Sequence, residues 1–368
     1  MMEEDRLDDV QASIKAVMMG FHGLDDPRGW IRTILPSLVR SPLYHQCATG
    51  MADDPEIIEL LNLVDKEQPL LILFFTAVNF LLLRDRDYPL AQFYPYLTEQ
   101  PQPAQDAYPY FRDFCLSHRS ELRHMLPQVR LQTNEVTRCA NLLPAFHLVS
   151  TRGGKKPLAL IEIGASAGLN LNWFRYGYIY QHILTLGYQD SPVQIHCGLQ
   201  GDRVPNFPAS LPVVARCIGI DLHPLHLNNE ADVRWLRAHI WPEEDWRYSR
   251  LDAAIRIARQ HPCRMLAGDA SHLLPELLAQ TSLEHTVCVF HSFALNQGPK
   301  TVRQQIEQQL ARASRTRTLF QVALEVDPEA SGLPTLELRT YYGGVLAGLE
   351  RLAYCTLHGE HLTWLKPA

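Results

Sequence analysis

The spacing of apolar positions changes character once along the chain, near residue 155. Before that point apolar residues recur every three to four positions, as on one face of a helix. Leu7, Val10, Ile14, Val17 and Met18 predict a helix over 6–22. Further helices are expected from Trp30 to about Val39, from Ser41-Pro42, and over 55–65, 69–84, 107–126 and 131–149. Ser41 followed by Pro42 is a helix-start signal, with serine as cap and proline in the first turn. No alternating strand pattern stands before residue 155, so residues 1–152 read as an all-α N-terminal domain or cap. Thr151-Arg-Gly-Gly-Lys-Lys-Pro157 is the linker.

After the linker, short continuous apolar runs alternate with helical stretches. Strands are expected at Leu158–Ile163, Val213–Ile220, Cys263–Ala267, Thr286–Phe290 and Thr318–Val326. Helices are expected at 229–240, 243–260, 271–280 and 299–313, with strand-like pieces at 335–342, 352–358 and 361–365. Such alternation predicts an α/β domain over 153–368, with a doubly wound, mostly parallel, Rossmann-like sheet. Residues 175–213, rich in aromatic and turn residues, break the alternation and read as an inserted hairpin or lid.

Composition narrows the classes. The 368 residues exceed one small core, and 46% apolar with 20% charged residues is an ordinary globular mixture. A net charge of −6 gives no basic footprint, so no nucleic-acid partner is predicted. The eight cysteines form no C-x-x-C pair and no zinc spacing, so they read as reduced structural thiols with no metal. The apolar run Leu70–Leu83 is short for a membrane span, which needs about 20 residues, and the acidic N-terminus lacks a signal-peptide core. A cytoplasmic protein without a membrane partner is the expectation; the oligomeric state is not legible.

The candidate chemistry gathers around Leu158-Ala-Leu-Ile-Glu-Ile-Gly-Ala-Ser-Ala-Gly-Leu-Asn170. A buried strand, a turn of small residues and a helix present backbone N–H groups to a ligand. Read as Gly164-x-Ser166-x-Gly168, the segment is a hydrolase nucleophile elbow. An aspartate (Asp221 or Asp269) and a histidine (His291 or His358) follow in triad order. That fold places strands upstream of its nucleophile, and none is expected here. Read as Glu162-x-Gly164-x-x-x-Gly168, the segment is the first motif of a nucleoside-binding fold. Asp221 ends the next strand and can accept from ribose hydroxyls, with Asp202 and Asp190 as alternatives. Asp269 ends the third strand and can accept from an adenine amine. The Gly-x-Gly-x-x-Gly fingerprint of nicotinamide cofactors is missing. His291, after the fourth strand, could be a base or a helix cap. Asn134, Arg138 and Asn141 share one face of the expected helix 131–149, with Glu135 beside Arg138. They read as a solvated face or as a polar stripe facing a cleft.

These segments resemble class I S-adenosylmethionine-dependent methyltransferases. The resemblance implies S-adenosylmethionine as cofactor, with Glu162, Gly164, Ala165, Ser166, Gly168 and Asn170 on the methionine side. Asp221 and Asp269-Ala270 would then lie toward the nucleoside. The Asp/Asn-Pro-Pro-aromatic motif of nucleobase methylation is absent, and His291-Ser-Phe-Ala-Leu-Asn296 stands in its place. Over nearly its whole length the chain also resembles an uncharacterised bacterial domain-of-unknown-function family (DUF2332-like). The resemblance rests on Ser41-Pro-Leu-Tyr44, Gln132-Thr-Asn-Glu135 with Arg138, Glu162–Asn170, Gly219-Ile-Asp-Leu-x-Pro224, Arg234-Trp-Leu236, Trp241-Pro242, Gly268-Asp269 and His358-Gly359. The combined expectation is a methyltransferase of a small molecule. Asn134, Glu135, Arg138 and Asn296 would line the acceptor cleft. A non-catalytic ligand-binding or scaffolding protein is the alternative.

Overall fold

A computed structural model describes residues 27–66, 68–181, 184–326 and 332–367. The helix expected over 6–22 lies outside them. The fold is mixed α/β, and every regular element described before Leu158 is helical. Two compact units divide the chain: Met1–Thr133 with Asn229–Ser249, and Asn134–Asn228 with Arg250–Ala368. This division differs from a cut at the 151–157 linker, because the helix Arg138–Arg152 packs on the sheet of the second unit.

In the first unit, Ser41 starts the helix Pro42–Met51 as expected, its Oγ accepting from the Tyr44 N–H at 3.3 Å. The same hydroxyl donates to Glu243 at 2.5 Å, and the Leu43 N–H donates to the other Glu243 oxygen at 2.8 Å. The apolar run forms the helix Leu70–Leu82, buried on nearly every side. Its one buried amide, Asn79, donates to the Ala238 carbonyl at 3.0 Å and accepts from the Tyr96 hydroxyl at 2.9 Å. Among the described residues no helix is long and apolar enough to cross a membrane.

The expected helices over 107–126 and 131–149 are among those shorter in the fold. The run 107–126 is two helices, Tyr108–Ser117 and Arg119–Met125, broken where the His118 backbone turns to φ −103° and ψ 19°. The His118 ring bonds back to the Phe114 carbonyl and across to Asp85, each at 2.9 Å. The run 131–149 becomes helical only at Arg138. The Glu135 carboxylate accepts from both the N–H (2.9 Å) and the hydroxyl (2.7 Å) of Thr137, fixing a turn there instead.

The second unit holds one sheet of eleven strands. They are β1 Leu158–Ile163, β2 Gly177–Tyr180, β3 Leu184–Gly187, β4 Gln194–Gln200, β5 Val214–Asp221, β6 Arg264–Ala267, β7 Thr286–Ser292, β8 Leu319–Val326, β9 Pro334–Tyr342, β10 Val345–Cys355 and β11 His361–Trp364. Their order is β3-β2-β4-β11-β10-β9-β8-β7-β1-β5-β6. The run β6-β5-β1-β7-β8 is parallel throughout, with the chain switching sides between β1 and β7. From β8 to β11 the strands form an antiparallel meander. Residues 177–200 are not a separate lid. β2 and β3 do pair as a hairpin, but β4 joins them in parallel to β11, so all three extend the same sheet.

β1 is buried along its whole length, as a central parallel strand must be. Its Ile161 and Ile163 face the helices Ala270–Ala279 and Lys300–Ala313 in one core. On the opposite face, Phe146 of the helix Arg138–Arg152 stacks on Trp173 and meets Phe290 edge-on. Glu162 lies opposite Phe290 in the β1–β7 register and so shares that face.

Candidate functional site

The site is built at the C-terminal ends of the parallel strands, beside the switch point, where such sheets bind ligands. The loop after β1 alternates left-handed residues: Gly164 at φ 70°, Ser166 at φ 52° and Gly168 at φ 72°. Glycine is required at both ends. A Cβ on Gly164 would stand 2.3 Å from the Ala294 Cβ, and one on Gly168 2.8 Å from the Met265 sulfur. The helix expected after the turn is a 3₁₀ helix, Leu169–Arg175.

The N–H groups of this loop are engaged within the fold. Those of Gly164 and Ala165 both donate to the Ile220 carbonyl, at 2.8 and 3.1 Å. That of Ser166 donates to Asp221 Oδ2 at 2.8 Å, and Asp221 Oδ1 accepts from the His223 N–H at 2.9 Å. Asp221 therefore holds the loop against β5. An ionised carboxylate offers about four acceptor positions, so two backbone donors leave it able to accept more.

Glu162 is the unusual member. It is 1% exposed, and its Oε2 has no hydrogen-bond partner. Burial pushes its carboxyl well above the ordinary range; a hydrogen bond from Asn170 only partly opposes this. Burial thus favours the neutral acid over the carboxylate. Its unfolded form loses a proton above the ordinary 4.5, whereas its folded form keeps it, so this residue lowers stability as pH rises. Glu162→Gln, neutral and of the same shape, is expected to be more stable than the parent, with a gap that widens as pH rises above 4.5. Urea melts across pH test this; a gap of constant size would rule out the neutral acid.

Beside Glu162 lie the residues of the expected polar stripe, in a different arrangement. Asn134 precedes the helix, and its Oδ1 accepts from the Leu169 N–H at 3.0 Å, just after the glycine loop. Asn170 is buried and accepts from the Cys139 thiol at 3.4 Å. Arg138 is 7% exposed. Its Nε donates to the Leu357 carbonyl at 3.0 Å, and its guanidinium lies 4.2 Å from the centroid of the Phe293 ring. Asn141 does not join them: it is fully buried and donates to the His361 carbonyl at 3.3 Å. Gly359 completes this corner, since a Cβ there would reach 2.7 Å from the Arg138 nitrogen.

His291, the expected base, has both ring nitrogens engaged. Nδ1 meets Glu325 Oε1 at 2.6 Å, and Nε2 meets Gln321 Nε2 at 3.0 Å. Tyr341 donates to the Gln321 oxygen at 2.8 Å, leaving the glutamine amide to donate to His291. The proton is thereby assigned to Nδ1. With neither nitrogen open, His291 anchors β7 to β8; it supplies no base for Ser166 or for a bound acceptor. Glu325 also accepts from the N–H groups of Ala294 and Leu295, each at 3.0 Å. Burial pushes its carboxyl up, but these donors and His291 outweigh that and hold it below the usual value. The loop they fix carries Phe293 at φ 51° and the exposed Asn296.

Asp269 caps the helix Ala270–Ala279 through the Ser271 N–H at 2.7 Å, and Ala270 is buried in the first turn. Among the described residues no group of three or more His, Cys, Asp or Glu is placed to hold a metal ion. Glu325 and Phe293 were not identified from the sequence. A lone acid within Leu319–Val326 was the available signal for Glu325; nothing in the local pattern marks Phe293.

A family model described as "Uncharacterized protein conserved in bacteria (DUF2332)" matches residues 38–364. No curated protein and no solved structure matches the chain.

Proposed function

Since the chain belongs to the bacterial family DUF2332, whose description assigns no activity, its own site must carry the reading, and we propose that it binds S-adenosylmethionine and methylates a small molecule. In this reading β6-β5-β1-β7-β8 is a class I methyltransferase-like sheet, and the helices before Leu158 form a separate N-terminal domain. One observation carries it. Glu162 holds a buried carboxyl oxygen without a partner, at the end of the central strand and directly before the glycine loop. An unpartnered buried acid is costly, and a ligand ammonium would both satisfy and ionise it.

The neighbouring acids suit the rest of such a ligand. Asp221 keeps acceptor capacity for ribose hydroxyls, and Asp269 stands at the end of the adjacent β6. Recognition falls to these carboxylates, because the loop N–H groups of residues 164–166 already bond within the fold. S-adenosylmethionine would supply an activated methyl group, and the residues here would position it. His291 positions the 293–296 loop through Glu325 in this account, and no residue is assigned as base.

Calorimetry with S-adenosylhomocysteine tests the proposal. The parent protein is expected to bind, and Asp221→Asn to bind about tenfold more weakly for a lost charged hydrogen bond. Absence of heat from the folded parent at saturating ligand would end the proposal.

A further inference from the structure

Six of the eight cysteines are buried; Cys217 and Cys263 are half-buried. These two are also neighbours. β5 and β6 run parallel with Ile218 opposite Arg264, and one step back along both chains sets Cys217 opposite Cys263. Neighbouring strands lie about 4.8 Å apart, within the roughly 4.4–6.8 Å Cα separation a disulfide spans. In-register residues of parallel strands put their side chains on the same face, and the Cys217 thiol hydrogen-bonds to Cys263. β6 is the last strand of the sheet, and both thiols keep some exposure.

The two sulfurs have different surroundings. Cys217 donates to Cys263 and, at 3.7 Å, faces the Leu171 carbonyl. Cys263 accepts from Cys217 and from the Asn172 amide at 3.8 Å, with the Arg175 guanidinium near enough to act on it. The bond from Cys217 holds the Cys263 thiol below its ordinary value, and the same bond pushes Cys217 up. Cys263 is thus placed as the nucleophile and Cys217 as its resolving partner.

We propose that Cys217 and Cys263 form a peroxide-sensitive dithiol that closes reversibly to a disulfide across β5 and β6. The Cys263 thiolate attacks one oxygen of hydrogen peroxide. The O–O bond breaks, a sulfenic acid forms, and hydroxide leaves to become water. Cys217 then attacks the Cys263 sulfur, the S–O bond breaks, and a second water leaves with the Cys217 proton. Two thiols are oxidised by two electrons, and the peroxide is reduced to two waters. The residues touched are Leu171 and Asn172 of the 3₁₀ helix after the glycine loop, so closure acts on the element that follows the candidate site. The proposal stands whether or not that site binds S-adenosylmethionine.

The full-length folded protein, treated with hydrogen peroxide, acid-quenched and mapped without reductant, tests it. The expected result is a mass loss of two hydrogens, a linked peptide pair carrying Cys217 and Cys263, and return of both thiols with dithiothreitol. In Cys217→Ser, Cys263 should stop at the sulfenic acid and be captured by dimedone. Continued alkylation of both thiols after peroxide overturns the proposal, as does a cross-link to another cysteine or only sulfinic acid at Cys263. The map of the parent protein decides the matter even if Cys217→Ser fails to fold.

Discussion

Acidification from pH 6.5 to about 4 is expected to remove about 3 kcal/mol of stability through one residue, His239. His239 is 7% exposed. Its Nδ1 meets the Trp235 carbonyl at 2.7 Å, and its Nε2 accepts the Gln132 N–H at 3.1 Å. The ring therefore carries its proton on Nδ1 and stays neutral. Burial is the main cause that pulls it from 6.5 down to about 4, with the Arg247 charge adding to it. The sign follows from proton counts. Between the two values the unfolded chain takes up a proton that the folded chain refuses. Stability from this residue is full above pH 6.5 and falls as pH drops toward 4. His239→Leu should be less stable than the parent at neutral pH, because the Gln132 N–H loses its acceptor. Its stability should also change less across the acid window. Urea titrations of both proteins across that window give the answer. A variant with the parent's full pH slope would mean that another group carries the dependence.

Glu325→Ala is expected to cost at least about 3 kcal/mol, since it strands three buried donors at about 1–3 kcal/mol each. The carboxylate is 13% exposed and serves His291, Ala294 and Leu295 together. Its removal leaves the His291 ring and two backbone N–H groups without an acceptor. The damage should spread to the loop after β1, since Ala294 fills the space that Gly164 leaves open. Glu325→Gln should recover part of the loss, because an amide oxygen can still accept from the loop. The acid dependence has a definite sign. The folded carboxyl sits below its ordinary 4.5, so its contribution is present above that value and is lost as pH falls through the folded one. Thermal melts of the parent and both variants test this. Equal losses for Ala and Gln would show that shape matters here and hydrogen bonding does not.

Much of the second unit was legible because its signals are local. The apolar run Leu158–Ile163 has the length of a buried strand and is one. Asp269 caps its helix there, as Ser41 does in the first unit. The helix expected to begin at 131 failed because Glu135 offers its carboxylate to Thr137, a side-chain competition invisible to apolar spacing. The hairpin expected within 175–213 forms, but its place in the sheet was not legible locally. The partner that makes β4 part of the sheet is β11, which lies more than 150 residues later.

The site divides the same way. Glu162, Gly164, Ser166, Gly168 and Asp221 come together much as their order along the strands implied, because parallel strands bring their C-terminal ends to one edge. The state of each group was decided elsewhere. The Glu162 Oε2 lacks a partner because burial removes water from it while Asn170 serves the carboxyl only in part. His291 anchors strands because Glu325 and Gln321, about thirty residues on, occupy both its nitrogens. Cys217 and Cys263 become a pair only through the β5–β6 register. The sequence by itself determined the central parallel strands, the Ser41 and Asp269 caps and the tight turn after β1, since those choices depend on neighbours within a few positions. The tertiary structure alone decided protonation, partnership and access, since these depend on which distant groups displace water from a side chain.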